Sequence, residues 1–209
     1  MILDNQQALQ YTYAYADLDW VRETDDDTIY WVEMYQDWAR CNIYVNKLLS
    51  GDVSVLSDYV EYIAETADTM EGEKLSKLLN VMIAANQYNL DVDDVLPRFK
   101  KDIDAFTQLP TSTDMYSQQV VPDYIAWFGY ELAYYYLNRE RYSDGFKQLL
   151  FAMVKSHIIN NETYFINCIG LFMRFQVYAT PEIKTEFSNL IEKVWVGNVE
   201  KNRTVNCCE

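Results

Sequence analysis

Apolar residues recur every three or four positions along most of the chain, which is the pattern of amphipathic helices. The pattern is clearest from Val121 to Asn160, where two aromatic-rich apolar segments flank a polar tetrad, residues 138–141. One face of the first segment carries Ile125, Phe128, Leu132, Tyr135 and Tyr136, and one face of the second carries Tyr142, Phe146, Leu149, Leu150, Met153 and Ile158. We therefore predict a helical hairpin, with Pro122 in the first turn of its first helix.

The same periodicity predicts helices elsewhere in the chain. They cover Ile29–Leu49, Val53–Met70, Leu75–Tyr88, Val92–Phe106, Thr163–Tyr178 and Thr180–Val196, and a short one covers Leu3–Leu18, where tyrosines at every second position also fit a strand. No stretch indicates a β-α-β unit, and the connections are short, so neighbouring helices should pack antiparallel. The predicted fold class is all-α, a repeat-like bundle of eight or nine antiparallel helices.

Helix boundaries and loops suggest the domain organisation. Asp25, Asp26 and Asp27 supply carboxylates at a helix start, Gly51 and Gly197 mark helix ends, and Asp91 and Asp93 are capping candidates. We expect one helical domain over residues 1–200, with a candidate seam near 109–115, and a disordered tail over 201–209. The segment Thr163–Tyr178 is apolar on nearly every face, which predicts a buried helix.

The charge is large and unevenly distributed. The net charge is −15, of which residues 1–110 carry −13 and residues 111–209 carry −2. No basic stripe is present to displace counterions, so direct nucleic-acid binding is not expected. The acidic half is instead a candidate surface for a basic partner. Its carboxylates include Asp17, Asp19, Glu23, Asp25, Asp26, Asp27, Glu33 and Asp37.

Catalytic and metal-binding motifs are not found in the sequence. His157 is the single histidine, and the four cysteines contain no C-x-x-C pair. Glu-x-x-His pairs, a Gly-rich phosphate loop and a G-x-S-x-G elbow are missing as well. We expect no enzyme activity, no metal and no cofactor. With no apolar run long enough for a membrane span and no secretory signal, the expected location is cytoplasmic, with reduced thiols.

Aromatic residues are the most informative part of the composition, with 18 Tyr, 5 Trp and 9 Phe. Tyrosine and tryptophan fill cores, but they also line grooves that hold peptides. Tyr134 and Tyr136 point about 160° apart on a helix, so at least one of them faces solvent, a groove or a partner. The candidate groove residues are Trp127, Tyr130, Tyr134 and Phe172, with Arg139, Arg141 and Arg174 as carboxylate holders.

Two short patterns resemble known helical families. Leu132, Ala133, Tyr136, Tyr142, Gly145, Leu149 and Ala152 have spacings similar to the tetratricopeptide (TPR) repeat, in which small residues let two helices approach closely. The run Ile125–Leu132, IAWFGYEL, resembles the W-x-x-Y-E-L signature of Rgg/GadR/MutR-type transcriptional regulators, and the run 164–169, YFINCI, resembles the buried helix that follows it.

The second resemblance covers roughly residues 53–195 and carries functional expectations. It implies the TPR-like C-terminal half of such a regulator, which dimerises and accepts a short signalling peptide in a concave groove, without the family's helix-turn-helix. The leading hypothesis is therefore a non-catalytic module that binds a peptide or protein in an aromatic groove and that forms a homodimer. The alternative is an acidic inhibitor or immunity-type protein, a nucleic-acid mimic that blocks a basic surface.

Overall fold

The computed structural model describes residues 26–65, 73–108 and 115–205, with side chains over 36–65, 74–104 and 123–194. Within these ranges it contains nine α-helices and no strand, which confirms the all-α prediction. The helices are α1 (Asp26–Leu49), α2 (Leu56–Glu65), α3 (Glu73–Tyr88), α4 (Val95–Arg98), α5 (Lys100–Gln108), α6 (Met115–Asn138), α7 (Tyr142–Ile158), α8 (Glu162–Phe175) and α9 (Pro181–Val205). Short 3₁₀ helices cover Val53–Val55 and Gln176–Tyr178.

The chain divides into two compact units, Met1–Ala67 and Asp68–Glu209. The sequence instead suggested one domain with a seam near 109–115, of which residues 109–114 lie outside the described ranges. The predicted segment Leu3–Leu18 lies outside them too. Among the described residues, no helix is long and apolar enough to span a membrane.

The first unit contains α1 and α2, joined by a tight turn. Gly51 has a φ of 101°, the left-handed conformation that ends a helix, and the N–H of Asp52 donates to the carbonyl of Lys47 at 3.0 Å. Leu48, Tyr59, Val60 and Ile63 are buried in this unit, and Tyr44 stacks on Tyr59 with ring centroids 5.4 Å apart. The predicted helix ending at Leu49 and its stop at Gly51 are confirmed.

The second unit is built around the α6–α7 hairpin. The chain turns at Glu140, with a φ of 59°, and the N–H of Arg141 donates to the carbonyl of Tyr136 at 3.0 Å. Ala133 and Gly145 are buried where the helices cross, and a Cβ on Gly145 would stand 2.6 Å from Cγ of Leu137. Small residues therefore set the close approach of α6 and α7, as their spacing predicted.

Helices α8 and α9 complete the core of this unit. Phe172 of α8 stacks on Phe187 of α9, with ring centroids 4.0 Å apart, and meets Phe146 of α7 edge to face at 5.9 Å. Leu149 and Met153 of α7 are buried in the same cluster. Residues of α6 to α9 thus form one core cluster of the second unit, and α3 adds buried residues such as Leu78 and Met82.

Three predictions of where a helix begins, ends or continues without a break are wrong. Helix α6 begins at Met115, so Pro122 lies inside it; proline removes one backbone hydrogen bond, but its φ fits a helix. Helix α9 continues past Gly197 to Val205, because one glycine weakens a helix without ending it. The segment predicted as one helix over Val92–Phe106 is divided at Phe99, which turns inward and is buried.

The prediction of a fully buried α8 is also wrong. Phe165, Cys168, Leu171 and Phe172 are buried, but the opposite side carries exposed apolar residues. Ile166 is 63% exposed, Met173 55% and Val177, just after α8, 76%. Gly170 lies between them, with no atom within 4 Å of a Cβ placed on it. We call Ile166, Gly170, Met173 and Val177 the α8 stripe.

Candidate functional site

Helices α6 and α8 meet along a line of aromatic and polar side chains, all half-buried except one exposed arginine, here called the α6–α8 row. It consists of Asp123, Trp127, Tyr130, Glu131 and Tyr134 on α6 and of Asn161, Tyr164 and Arg174 on the α8 segment. On α6, Asp123, Trp127, Tyr130 and Tyr134 follow one another at intervals of three or four, and Glu131 comes four residues after Trp127, so they share one side of the helix. Four of the residues predicted to bind a partner, Trp127, Tyr130, Tyr134 and Arg174, belong to this row.

One end of the row is fixed by Asn161. Its amide Nδ2 donates to Oδ1 of Asp123 at 3.0 Å, which ties α8 to α6. Its Oδ1 accepts the backbone N–H of Tyr164 at 3.1 Å, which is the N-cap bond of α8. A single side chain therefore both starts α8 and sets its position against α6.

The middle of the row is an aromatic pair beside a carboxylate. The rings of Trp127 and Tyr164 lie 5.7 Å apart at an angle of 32°. Glu131 accepts two hydrogen bonds, from Nε1 of Trp127 at 3.2 Å and from Nδ2 of Asn86 on α3 at 2.7 Å. The backbone carbonyl of Glu131 also accepts from Asn86, at 2.9 Å. Glu131 thus connects α3 to the row and holds the indole of Trp127 in one orientation.

The amide oxygen of Asn86 is a buried acceptor without a hydrogen-bond partner among the described residues. Both hydrogen bonds that Asn86 donates go through Nδ2 to Glu131. Leaving a buried acceptor unpaired costs about 1–3 kcal/mol. Asn86 therefore ties α3 to α6 although its own oxygen has no donor among the described residues.

The other end of the row carries the positive charge. Nη1 of Arg174 donates to the hydroxyl of Tyr134 at 3.2 Å, and its guanidinium lies 5.6 Å from the centre of that ring. Hydrogen bonds with Asn138 and Arg174 lower the pKa of Tyr134, because they favour the ionised form. Tyr130 is packed against the core, and burial raises its pKa.

The two ends of the row therefore differ in charge. Burial, followed by the nearby charges of Asp123 and Glu131, raises the pKa of Tyr164. Among the described residues, neither of these two carboxylates forms an ion pair with a lysine or arginine. The row thus has an acidic part around Trp127 and Tyr164 and a basic end at Arg174.

Arg139 and Arg141 lie outside the row and bind groups of their own chain. Arg139 donates to the carbonyl of Leu90 and stacks on Tyr135, with Cζ 3.8 Å from the ring centre. Arg141 pairs with Asp93 and Asp144, both at 3.0 Å. Both arginines were predicted to bind a carboxylate of a partner. In the structure Arg139 binds a carbonyl of the α3–α4 connection, and Arg141 binds one carboxylate of that connection and one of α7.

Tyr135 fastens the same connection from the core side. Its hydroxyl accepts the N–H of Val92 at 3.0 Å and lies 3.2 Å from Oδ1 of Asp93. Burial raises the pKa of Tyr135 to about 12. The hydrogen bond from the N–H of Asp93 lowers the pKa of Asp91. Asp91 and Asp93 thus organise this connection, while the N-cap position of α4 is Asp94.

Phe172 is a core residue and does not line a groove. Only 7% of it is exposed, and its ring is packed between Phe146 and Phe187. The sequence assigned it to the groove because an aromatic residue on an apolar helix fits either environment. The packing of α9 decides between the two.

The predicted acidic face is mostly outside the described side chains. Asp17, Asp19, Glu23 and Asp25 precede the described residues, and the side chains of Asp26, Asp27 and Glu33 are not described. Asp37 is described, and the hydroxyl of Tyr62 on α2 donates both to its carboxylate and, at 3.1 Å, to its backbone carbonyl. Asp37 therefore contributes to the packing of α1 on α2.

Several residues of the row were not predicted as site residues. Glu131 and Tyr164 lie in the two family-like motifs, and the spacing of four from Trp127 to Glu131 indicates a side-chain contact on a helix. No comparable signal identifies Asn86, which is 45 residues from Glu131 and reaches it only because α3 packs on α6. Asp123 and Asn161 are likewise joined across 38 residues.

A pocket with several apolar lining residues lies between the end of α7, α8 and α9. Its volume is about 230 Å³, and Phe165, Ile166, Ile169, Ile191 and Val194 line it together with His157. Ligand pockets usually measure about 300–1,000 Å³, so this one is below the usual size of a small-molecule site. His157 lies in the last turn of α7, with its ring 6.3 Å from that of Phe165. Among the described residues, no three His, Cys, Asp or Glu side chains form a metal-binding group.

Comparison with known proteins gives no relative. No family model, curated protein or solved structure matches this chain. The resemblance to Rgg/GadR/MutR-type regulators therefore rests on its two short motifs. Both contribute to the row: Trp127, Tyr130 and Glu131 come from the first motif and Tyr164 from the second.

Proposed function

We propose that this protein is a non-catalytic helical interaction module whose α6–α8 row binds a peptide or an extended segment of a protein partner. One observation carries the proposal. Residues selected from the sequence as partner-binding, Trp127, Tyr130, Tyr134 and Arg174, lie on a single line, and their rings are only half-buried. Aromatic residues with fixed orientation and a guanidinium at one end suit peptide recognition.

The length of the row fits a short segment. Asn161 and Arg174 are 13 residues apart along the α8 segment, a helical distance of roughly 20 Å. An extended peptide advances about 3.3 Å per residue, so roughly six residues would cover the row. Because Trp127 and Tyr164 are held by hydrogen bonds and stacking, little side-chain entropy is lost when a ligand binds.

The order of helix packing supports a repeat-like, antiparallel arrangement. Consecutive helices α6, α7 and α8 pack in sequence, while Asn86, Glu131 and the Trp127–Tyr164 pair also connect α3, α6 and α8. In a TPR-like array every second helix lines the binding face, and α6 and α8, on either side of α7, would be two of those helices. This arrangement favours the sensor half of an Rgg/GadR/MutR-type regulator.

Selection from a random linear peptide library tests the proposal. The wild-type protein should enrich peptides, and fluorescein-labelled copies of them should bind at least about tenfold more weakly to Trp127→Ala, because an aromatic anchor is lost. Trp38→Ala removes an exposed tryptophan from the first unit and is the matched control, with affinity unchanged. Equal enrichment by wild type and Trp127→Ala would contradict the proposal.

Salt dependence and the Trp127→Ala variant together separate this function from that of an acidic inhibitor. Binding along the row should be weaker in Trp127→Ala at both low and high ionic strength, because part of it is apolar contact with the indole. A basic protein partner that binds Trp127→Ala as well as wild type, and that salt releases, would favour the inhibitor instead. No described contact supports that alternative.

The α8 stripe is the proposed surface for a second copy of this chain. Ile166, Gly170, Met173 and Val177 carry no charge, so two copies can pair there despite a net charge of −15 on each. Gly170 has no side chain to hold two helices apart, and a two-fold axis would place the stripe against itself.

Native mass spectrometry should give a dimer for wild type and a monomer for Met173→Glu, with Lys184→Glu as control. A wild-type monomer at tens of micromolar would contradict this pairing.

A further inference from the structure

Three consecutive tyrosines of α6, Tyr134 to Tyr136, differ from Trp127 because an arginine of their own chain lies on or near each ring. Arg139 covers Tyr135 at 3.8 Å, Arg141 covers Tyr136 at 4.2 Å, and Arg174 is near Tyr134 at 5.6 Å. Trp127 and Tyr164 have no such cation among the described residues. They have two carboxylates instead, Asp123 and Glu131, one turn of α6 before and after Trp127.

Both carboxylates are held by neutral donors that leave their charge uncompensated. Asn161 binds Asp123, while Trp127 and Asn86 bind Glu131. Aromatic faces that are flanked by negative charge and lack a cation of their own favour an ammonium or guanidinium group.

The geometry points to a ligand peptide whose lysine or arginine side chain lies against Trp127 and Tyr164, between Asp123 and Glu131, while an acidic group of the same peptide pairs with Arg174. This inference rests on the proposed function and specifies the ligand. The charge at Arg174 also sets the direction in which the peptide lies.

The distance between the two charged ends sets the spacing in the peptide. Along α6, Trp127 precedes Tyr134 by seven residues, and along α8, Tyr164 precedes Arg174 by ten. These separations correspond to roughly 10–15 Å, which an extended chain covers in about three to five residues. The expected ligand therefore has a basic residue about three to five positions from an acidic side chain or from its terminal carboxylate.

Sequencing the peptides enriched from a random library tests this pattern. Wild type should enrich lysine or arginine, with a carboxylate at the stated spacing. Selection on Glu131→Gln and on Asp123→Asn should reduce the basic preference, and selection on Arg174→Gln should reduce the acidic one. Glu192→Gln, which removes an exposed carboxylate of α9, should leave both unchanged.

Affinities then identify which groups interact. A labelled, enriched lysine peptide should bind about tenfold more weakly to Glu131→Gln than to wild type. The same peptide with its lysine replaced by glutamine should bind the two proteins with affinities that differ less than about twofold. Circular dichroism and the Tm of each variant show that it is folded, and Asp123→Asn gives an independent measurement if Glu131→Gln is not.

The outcomes separate the two proposals. Enriched peptides without an excess of basic residues, or a basic preference that persists in both carboxylate variants, would overturn the inference and leave the proposed function in place. A library that wild type enriches no more than Trp127→Ala would overturn both.

Discussion

Phe172 and Trp127 are both large aromatic residues of the second unit, and their surroundings differ completely. Phe172 lies in the core formed by α7, α8 and α9, between two other phenylalanine rings. Trp127 lies in the α6–α8 row, with its indole N–H bonded to Glu131 and part of its ring open to solvent. The core is held by apolar packing, whereas the row is held mainly by hydrogen bonds between side chains.

This difference indicates which region is free to bind a partner. In the core each ring is already covered by its neighbours, so exposing one would cost the free energy of its burial. In the row the polar atoms have partners but the ring faces are partly uncovered, so a ligand can add contacts without breaking any. Three sets of variants test how tightly each part of the second unit is packed.

The largest expected effect is that of Phe172→Ala. Removing a core phenylalanine leaves a cavity and should lower the free energy of unfolding by about 3–5 kcal/mol. Trp127→Ala should lower it by only about 1–2 kcal/mol, because its ring is partly exposed and its hydrogen bond to Glu131 is only partly buried. Urea unfolding followed by circular dichroism measures both. Equal losses would mean that the row is part of the core.

The next comparison is between the stabilities of two glycine variants. Gly145→Ala places a Cβ 2.6 Å from Cγ of Leu137 and should lower the free energy of unfolding by about 1–3 kcal/mol, because α6 and α7 must move apart. Gly170→Ala meets no atom within 4 Å and should raise it by about 0.5–1 kcal/mol, since alanine favours helices. Thermal unfolding of the pair provides the comparison, and a stabilising Gly145→Ala would refute the tight crossing.

Tyr135→Phe should lose less stability than Phe172→Ala or Gly145→Ala. Its hydroxyl accepts the N–H of Val92, so its loss should cost about 1–2 kcal/mol at pH 7. Burial raises the pKa of Tyr135 to about 12, above the usual value of 10.0. Ionisation therefore favours the unfolded chain, and the stability that this tyrosine contributes is present below pH 10 and lost between pH 10 and 12.

Unfolding in urea at pH 8 to 12 measures this dependence. The decline in stability above pH 10 should be shallower in Tyr135→Phe than in wild type. Parallel curves for wild type and Tyr135→Phe would show that the hydroxyl of Tyr135 is not protected by burial.

Short-range patterns predicted a large part of the fold. The positions of α1, α3, α7 and the α6–α7 turn follow from apolar spacing and polar breaks, which act within a few residues. The close crossing at Gly145 was predictable because small residues at fixed spacing allow helices to touch. The start of α6 and the end of α9 were not, because Pro122 and Gly197 are tolerated inside long helices.

The sequence by itself determined the helices, the uneven charge and the supply of aromatic residues on α6. Tertiary structure alone decided which aromatic residues became core and which remained in the row. Phe172 is buried because α9 packs over it, and Glu131 holds Trp127 with the help of Asn86, a residue distant in the chain. Periodicity describes the faces of one helix, whereas a site depends on which other helix covers each face.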